Sequence, residues 1–331
     1  MQLWQALIIG VLQGVSELFP ISSLGHAVLL PALLAWTVTD GTAVINSKVV
    51  QCTVANPCAF TAYEGQDKYL AFLVALHLAT AIALIAFFWR DWLQVVSSLV
   101  GSVQRRQLVY DRPSKFAWLL VAGTIPVGII GLVLESKVRD LLGDPKLVAG
   151  FLFLNGLMML LGEYLRRRAV SNATAPDVVA VGTGGSAYTR SSQESAGGSE
   201  LKVTEDLTFV EGASVGVAQA LALLPGISRS GATMVAGLFF KLTHEEAARF
   251  AFMLATPVIG LAALLKVPSL FSKTNSDILG MAVLAAIVSG LCAFFSVRFL
   301  MRYFETKRLD SFGYYSLVAG LVALFVLVIR G

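Results

Sequence analysis

The sequence predicts an all-α polytopic membrane protein made of two inverted-topology repeats, each a re-entrant helical hairpin followed by three transmembrane helices. Three observations predict this fold class. Of the 331 residues, 56% are hydrophobic and only 14% are charged, which is too few charged residues for a water-facing surface. Six apolar runs are long enough to cross about 30 Å of hydrocarbon as helices. Two further apolar regions are interrupted in the middle and match each other in sequence.

The six predicted spanning helices cover residues 69–89, 116–134, 147–165, 249–266, 278–297 and 311–329. Each run is close to the length of about 20 residues that a spanning helix requires. The polar residues inside these runs are isolated, so we assign them to helix packing or to the lining of a cavity. They include His77, Thr80, Thr124 and Asn155.

The two interrupted regions, 3–36 and 208–240, are predicted to be re-entrant helical hairpins. The first is broken at Phe19-Pro-Ile-Ser-Ser-Leu-Gly-His26 and the second at Pro225-Gly-Ile-Ser-Arg-Ser-Gly231. Each half is too short to span a bilayer. Irregular backbone survives at membrane depth only where protein or a water-filled cavity surrounds it, so two such breaks imply a shared polar cavity.

The two regions also indicate an internal repeat. With an offset of 206 residues, six positions are identical, namely Gly10, Val11, Gln13, Ile21, Ser22 and Gly25 with Gly216, Val217, Gln219, Ile227, Ser228 and Gly231. Three crossings after each hairpin make the second copy enter the membrane from the opposite side. We therefore divide the chain into a first repeat (1–168, with an outer loop at 37–67), a flexible cytoplasmic linker (169–207, rich in Ser, Gly, Thr and Ala) and a second repeat (208–331).

Charge sets the expected orientation. If the loops near 90–115, 166–207, 241–249 and 298–308 are cytoplasmic, they carry 16 Lys and Arg against 8 on the outer side. This positive-inside asymmetry places both termini and the loop with Cys52 and Cys58 outside, where a disulfide between them is plausible chemistry. The basic residues lie in short clusters between apolar runs, so they indicate topology and no nucleic-acid partner.

The first break gathers the residue types of a catalytic site. Gln13 and Glu17 are four residues apart and share one helix face. Intramembrane carboxylates are rare and usually functional, so Glu17 is a candidate metal ligand or proton acceptor, although it could instead pair with a helix neighbour. Ser22, Ser23 and His26 follow the break, and a histidine beside two hydroxyls and a carboxylate can activate a nucleophile, whereas a lone one is often a structural hydrogen-bonder.

The second break has the residue types of a phosphate-binding site. Its arginine, Arg229, is the only one predicted at mid-membrane, and small or hydroxylated residues surround it: Gly226, Ser228, Ser230 and Thr233. Exposed amides at a helix start, together with a guanidinium, are a recurrent phosphate-binding arrangement. Alternatively, Arg229 has a structural role and neutralises the charge of Glu17 from the other repeat. Phosphate binding and this pairing are compatible, since one cavity would hold both groups. Downstream, Thr243 is predicted to cap a helix with Glu246 at its third position.

These motifs, Gln-x-x-x-Glu, Pro-x-Ser-Ser-x-Gly-His and Pro-Gly-x-Ser-Arg-Ser-x-x-Thr, closely resemble those of the undecaprenyl-diphosphatase family, also known as BacA, over nearly the whole chain. The resemblance implies hydrolysis of undecaprenyl diphosphate to undecaprenyl phosphate and inorganic phosphate in the bacterial plasma membrane. It also implies recycling of the lipid carrier for cell-wall synthesis, resistance to bacitracin, which sequesters the substrate, and a site open to the outer face. Membrane lipids are the other expected partners, and an oligomer is compatible with the sequence.

Carried onto this chain, the resemblance makes Glu17, Ser23, His26 and Arg229 catalytic. It makes Gln13, Ser22, Gly226, Ser228, Ser230 and Thr233 substrate-binding. It implies a divalent cation, Mg²⁺ or Ca²⁺, with Glu17 as its ligand. Gln13 stands where many members have a glutamate, which weakens a model in which two carboxylates share the cation. The implied chemistry is attack by Ser23 or water on the terminal phosphorus, with His26 as general base or acid.

Two rival functions use similar features. A polyprenyl-phosphate transporter or flippase could be built from the same inverted repeats and midplane cavity. The other membrane lipid phosphatase superfamily shares a Ser-Gly-His and a Ser-Arg element. Here the spacing differs, because the His26 loop precedes the Ser-Arg loop by about 200 residues and no Lys-x6-Arg-Pro stretch or later His-x3-Asp follows. A purely structural membrane protein would not need Glu17, His26 and Arg229 in apolar surroundings.

Overall fold

The computed structural model describes residues 2–34, 36, 42–45, 48–51, 63–141, 144–173, 201–270 and 278–330. Over these residues the protein is helical apart from one short hairpin, in which β1 (Thr42–Ile45) pairs antiparallel with β2 (Lys48–Gln51). The helices are α1 Leu3–Ser16, α2 Ser23–Leu33, α3 Tyr63–Phe87, α4 Trp89–Arg105, α5 Arg112–Leu141, α6 Pro145–Ala173, α7 Phe209–Gln219, α8 Arg229–Phe239, α9 His244–Leu270, α10 Leu279–Thr306 and α11 Asp310–Ile329. The expectation of an all-α protein is confirmed.

Six of the helices are long and apolar enough to cross a membrane: α3, α5, α6, α9, α10 and α11. The six predicted spanning runs coincide with these helices, except that 69–89 extends two residues beyond the end of α3 and 278–297 begins one residue before α10. Their outward faces carry many exposed large apolar side chains, such as Leu132, Val133 and Leu265, each about 70% exposed (71%, 73% and 71%). A surface of this kind is stable in lipid, so the fold is that of a multi-pass membrane protein.

The two interrupted regions form two pairs of short helices, α1 with α2 and α7 with α8. The break between α1 and α2 contains Pro20, which has no amide hydrogen and restricts the residue before it, so the first helix cannot continue. The second break begins with a 3-10 turn over Ala220–Leu223 and ends at Ser228, the N-cap of α8. None of these four helices is long enough to span a membrane.

The packing of the helices follows a reciprocal pattern. Helix α3 packs on α9 and α6 packs on α11, while α1 packs on α10 and α7 packs on α5. Small residues permit both of the latter contacts: a Cβ on Gly10 of α1 would lie 2.6 Å from the carbonyl oxygen of Ala285 in α10. A Cβ on Gly216 of α7 would collide with the backbone of Gly123 in α5. Close backbone approach at small residues is the usual way in which helices associate in membranes.

The loop expected at 90–115 contains helix α4, which the apolar pattern did not predict. Its buried residues are Val95, Ser98 and Ser102, while the rest of the helix is largely exposed. Trp118 of α5 donates to the hydroxyl of Ser102 at 3.0 Å. The exposed part of the helix combines apolar side chains such as Val96 and Val103 with basic ones such as Arg105, and an amphipathic helix of this kind is typical of a membrane–water interface.

The interval expected to be a linker, 169–207, is ordered at both of its ends. Helix α6 continues to Ala173, and the amide of Lys202 donates to the carbonyl of Lys241 at 2.9 Å. Thr204 donates through both its amide and its hydroxyl to Glu246, at 3.0 and 2.7 Å. The predicted cap of α9 is present, since the amide of Glu246 donates to Thr243 at 3.1 Å. Residues 174–200, like Cys52 and Cys58 with their predicted bridge, lie outside the described residues.

Candidate active site

The two breaks lie against each other in the middle of the helix bundle. A Cβ on Gly25, at the start of α2, would lie 3.1 Å from the Cα of Gly226 in the second break. A Cβ on Gly231, at the start of α8, would lie 3.3 Å from Pro20 in the first break. The N-termini of α2 and α8 therefore converge, as the prediction of a shared cavity required.

Asn155 of α6 ties the two breaks together. Its Nδ2 donates to the carbonyl oxygen of Pro20 at 3.1 Å and to the hydroxyl of Ser316 in α11 at 3.2 Å. Its Oδ1 accepts from the amide of Ser228 at 2.9 Å. Asn155 is fully buried, so these bonds replace water for the backbone groups that the breaks leave unpaired. The prediction that Asn155 serves packing or cavity lining understated this role.

The carboxylate of Glu17 is the centre of the site. Its Oε2 accepts from Gln13 Nε2 at 3.0 Å and from the hydroxyl of Ser23, which makes a short hydrogen bond. The Nε2 of His77 lies 3.3 Å from the same oxygen. All three neighbours are donors, and a buried carboxylate needs such partners to remain ionised. Glu17 is thus positioned as an anion beside a hydroxyl whose proton it can accept.

His77 of α3 belongs to this cluster, although the sequence assigned it only to helix packing or to the lining of a cavity. Its Nδ1 lies 2.8 Å from the carbonyl oxygen of Leu73, and its Nε2 faces Glu17. His77 therefore contacts Glu17 through Nε2 while Nδ1 holds the ring against its own helix, and this fixes the orientation of the carboxylate. An intramembrane histidine is a functional candidate by default, and that signal was available in the sequence.

Arg229, the first residue of α8, brings a guanidinium to the same carboxylate. Its Nη1 lies 3.9 Å from Glu17 Oε1, which is too long for a hydrogen bond. This Nη1 is buried and has no hydrogen-bond acceptor among the described residues. A buried donor without an acceptor is costly, and an anion between Arg229 and Ser23 would satisfy it. The prediction that Arg229 faces Glu17 across the two repeats agrees with this contact.

His26 lies at the edge of the cluster. Its Nδ1 donates to the carbonyl oxygen of Ser22 at 2.7 Å, and its Nε2 lies 2.8 Å from the hydroxyl of Tyr315 in α11. The two rings also stack, with centroids 5.7 Å apart. Among the described residues His26 makes no hydrogen bond to Ser23 or Glu17, so the structure does not join it to the predicted nucleophile.

The remaining predicted substrate-binding residues shape the two helix starts. Ser22 and Ser228 are N-caps: Ser22 accepts from the amide of Gly25 at 3.2 Å, and Ser228 from that of Gly231 at 3.2 Å. Ser230 lies with its hydroxyl 3.1 Å from that of Ser228. Two helix N-termini directed at one point provide amides and positive dipole ends, which favour an anion there.

Thr233 and Gly226 hold the second break in shape. The hydroxyl of Thr233 donates to the carbonyl of Arg229 at 2.8 Å, one turn earlier in α8. Gly226 has φ +116°, a left-handed conformation that favours glycine. A Cβ at Gly226 would also lie 2.5 Å from the carbonyl oxygen of Val148 in α6. Both residues therefore stabilise the backbone conformation that places Arg229 in the site.

Two side-chain oxygens near Ser23, from Gln13 and Glu17, are candidate ligands for a divalent cation. Gln13 Oε1 is buried without a hydrogen-bond partner, and it belongs to the residue that contacts Glu17. No group of three or more His, Cys, Asp or Glu side chains in the described part of the chain is arranged to hold a metal. These oxygens therefore fit a hard cation such as Mg²⁺ that takes its other ligands from water and phosphate, and they do not form an all-protein cage.

Among the other isolated polar residues, Thr80 and Thr124 fit the packing interpretation. Thr80 donates to the carbonyl oxygen of Leu76 at 3.1 Å, and Thr124 to that of Leu120 at 2.7 Å. Both hydroxyls therefore bond within their own helices, and that of Thr80 also lies 3.4 Å from the hydroxyl of Ser289 in α10. Three residues that contact the site, His77, Asn155 and Tyr315, were not predicted as site residues.

Comparison with known proteins shows the family of the chain. The family model described as bacitracin resistance protein BacA matches residues 6–322. An undecaprenyl-diphosphatase of Mycolicibacterium paratuberculosis is 42% identical over 98% of this chain and 97% of its own length. Undecaprenyl-diphosphatase 2 of Frankia alni is 42% identical over 96% of this chain and 95% of its length, and undecaprenyl-diphosphatase 2 of Chromobacterium violaceum is 38% identical over 97% of each. The chain therefore belongs to the BacA family of bacitracin resistance proteins.

Proposed function

We propose that the protein is an integral membrane phosphatase that hydrolyses undecaprenyl diphosphate to undecaprenyl phosphate and inorganic phosphate. The observation that carries the proposal is the buried Nη1 of Arg229. It has no acceptor among the described residues and lies 3.9 Å from Glu17, which accepts from the hydroxyl of Ser23. A terminal phosphate in this position would accept from Arg229 and lie next to an activated hydroxyl. Family membership and relatives named undecaprenyl-diphosphatase support the substrate.

In the proposed reaction, Ser23 Oγ attacks the terminal phosphorus while its proton passes to Glu17. A bond forms between Oγ and phosphorus, and the bond from phosphorus to the bridging oxygen breaks, which releases undecaprenyl phosphate. The proton on Glu17 passes to the departing undecaprenyl phosphate, so that Glu17 is ionised again. Water then attacks the phosphoserine and gives a proton to Glu17, while the bond between Oγ and phosphorus breaks. Glu17 returns this proton to Ser23 Oγ, and inorganic phosphate leaves. The hydrogen bond from Ser23 to Glu17 supports Ser23 as the nucleophile and Glu17 as its base, because a base must lie within hydrogen-bond reach of the proton that it accepts.

Arg229 and the two helix starts would bind the charge of the diphosphate. A guanidinium offers a planar pair of donors to phosphate oxygens, and the N-termini of α2 and α8 add amides. His26 would act as a proton donor or acceptor at the edge of the site, where its Nε2 lies 2.8 Å from the hydroxyl of Tyr315. In this proposal Glu17, and not His26 as expected from the sequence, is the general base for Ser23.

A divalent cation, Mg²⁺ or Ca²⁺, would be held by Glu17 Oε1 and Gln13 Oε1 together with substrate oxygens and water. When bound it would neutralise charge on the transferring phosphate. Glu17 Oε1 and Gln13 Oε1 accept no hydrogen bond in the described structure, which supports their availability as ligands. Because Gln13 is neutral, only one carboxylate would be shared with the cation.

We also propose that the helix pairs α1–α2 and α7–α8 are re-entrant hairpins of two inverted repeats. The reciprocal contacts support this: α1 of the first repeat packs on α10 of the second, and α7 of the second packs on α5 of the first. Corresponding helices also pair, α3 with α9 and α6 with α11. Packing of each hairpin on a helix of the other repeat, around a site near the membrane midplane, is typical of inverted-repeat membrane proteins.

In the cell, the proposal places the protein in the bacterial plasma membrane with its site open to the outer face. The distribution of Lys and Arg supports that orientation. Hydrolysis there would return the lipid carrier to cell-wall synthesis. It would also lower the amount of the diphosphate that bacitracin sequesters, and so confer resistance.

The test is phosphate release from undecaprenyl diphosphate by purified protein in detergent with Mg²⁺. Wild-type protein should release phosphate, and Glu17→Gln should lower kcat by about 100-fold or more, the range for loss of a general base. The matched control is Glu305→Gln, since Glu305 is exposed on α10 and forms no ion pair among the described residues. It should retain wild-type turnover.

Two outcomes would contradict the proposal. If folded wild-type protein bound the diphosphate but released no phosphate, the transporter interpretation would replace the phosphatase. If Glu17→Gln kept the turnover of Glu305→Gln, the reaction would take place without the cluster described above.

A further inference from the structure

A groove with basic and aromatic walls lies along the C-terminal half of α10, outside the candidate active site. Its volume is about 490 Å³, within the range of about 300–1,000 Å³ that is typical of ligand sites. Its lining includes Phe295, Arg298, Phe299, Arg302, Tyr303 and Lys307. None of them belongs to the cluster around Glu17.

Three cations line this groove without an acidic partner. Arg298, Arg302 and Lys307 are exposed, and none forms an ion pair among the described residues. Glu305, the acid nearest to them in sequence, is also unpaired in the described part of the chain. Arg298 and Arg302 are one helical turn apart, so their like charges repel each other unless an anion lies between them.

The position of the groove along the membrane-spanning helix α10 indicates what kind of anion it would bind. Arg298 and Arg302 both lie within the stretch of α10 that is apolar enough to span a membrane, Leu279–Thr306. An arginine at this depth on a lipid-facing surface extends its side chain towards the headgroup layer, where lipid phosphates lie. A soluble anion would have to enter that layer, whereas a phospholipid is already there.

The aromatic side chains offer a wall for an acyl chain. Phe295 and Phe299 are 64% and 53% exposed and are one turn apart on α10. Phe299 packs on Tyr303, with ring centroids 5.8 Å apart, so the wall continues towards the basic end of the groove. Tyrosine beside basic residues at a helix end is typical of the membrane–water interface.

We propose that this groove binds an anionic phospholipid. The phosphate would lie between Arg298 and Arg302 with Lys307 beside it, and one acyl chain would run along Phe295 and Phe299. The occupant is an anionic and not a zwitterionic lipid, because three cations without a carboxylate partner favour net negative charge. The site stands independently of the proposed phosphatase activity.

The test is native mass spectrometry of the full chain purified in mixed micelles of equal phosphatidylcholine and phosphatidylglycerol. Wild-type protein should retain phosphatidylglycerol in preference to phosphatidylcholine. Arg298→Gln/Arg302→Gln should lower the affinity for phosphatidylglycerol about tenfold or more, as expected from the loss of two basic residues near a lipid surface. The control Arg106→Gln/Arg168→Gln removes two exposed charges outside the groove and should retain wild-type lipid binding.

The milder variant Lys307→Gln covers the case in which the double variant does not fold, and it should weaken phosphatidylglycerol binding a few-fold. The proposal is overturned if wild-type protein retains both lipids equally. It is also overturned if folded groove variants bind phosphatidylglycerol as tightly as the control variant does.

Discussion

Ser22 and Ser23 are neighbouring hydroxyls with different partners, and this difference assigns them different roles. The Oγ of Ser22 caps α2 by accepting from the amide of Gly25 at 3.2 Å, while the hydroxyl of Ser23 donates to Glu17. Ser23→Ala should therefore lower kcat by about 100-fold or more with little change in Tm, as expected when a nucleophile is lost. Phosphate release and a thermal melt in detergent measure both quantities.

Ser22→Ala is the matched control for that change, because it removes the same oxygen one residue earlier. Loss of an N-cap costs about 1 kcal/mol, so Tm should fall by a few degrees while kcat changes much less. If Ser23→Ala kept wild-type turnover and Ser22→Ala lost it, the two assignments would be reversed.

At this scale the sequence predicted most of the site but not its geometry. Gln13, Glu17, Ser23 and Arg229 do come together as the two motifs indicated. His77 was not placed with them, because its neighbours in sequence are apolar and its partner is 60 residues away. A sequence pattern reports local spacing, and contacts between distant helices depend on packing that a pattern does not contain.

Among the elements, the second break depends most strongly on one backbone position. Gly226 has φ +116°, and a Cβ there would lie 2.5 Å from the carbonyl oxygen of Val148. Gly226→Ala should therefore combine backbone strain with a clash and destabilise the protein by about 2 kcal/mol or more. A thermal melt in detergent should show a fall in Tm of several degrees, and turnover should fall with it, because Arg229 follows three residues later.

Gly128→Ala in α5 controls for the loss of a glycine as such, since a Cβ at Gly128 would meet nothing within 4 Å. Its Tm should stay at or slightly above that of the wild type, because alanine is the better helix former. Equal melting temperatures for the two alanine variants would show that the second break has no special backbone requirement.

The elements themselves were the most predictable level. Apolar length alone located the six long helices, because each must bury its backbone polar groups by itself in lipid. Helix α4 was missed, since Arg90, Asp91 and Gln94 interrupt its apolar residues and leave no long apolar run. The ends of the presumed linker were also missed, because residues 201–207 are ordered by contacts with α7 and α9 that no local propensity specifies.

For the whole molecule, Asn155 is the residue that joins the two halves. It bonds Pro20, Ser228 and Ser316, which belong to three different elements. Asn155→Leu keeps a similar volume but leaves buried polar groups unpaired, at about 1–3 kcal/mol each. Both Tm and phosphate release should fall, because the breaks would lose their common support.

The control for this change is Thr80→Val, a buried isosteric change in α3. The hydroxyl of Thr80 bonds mainly to its own helix, at 3.1 Å from Leu76 O, so its loss should leave Tm and turnover near the wild type. A variant Asn155→Leu that behaved like Thr80→Val would show that the two breaks hold together without this bridge.

The central claim is that residues from both breaks act on one phosphate, and a double-mutant cycle of kcat/KM tests it most directly. The four proteins are wild type, Glu17→Gln, Arg229→Lys and the double variant, assayed on undecaprenyl diphosphate. Groups that act as a unit have non-additive effects, so the double variant should lose much less than the product of the two single losses. Losses that multiply exactly as for independent sites would contradict a single site built from both breaks.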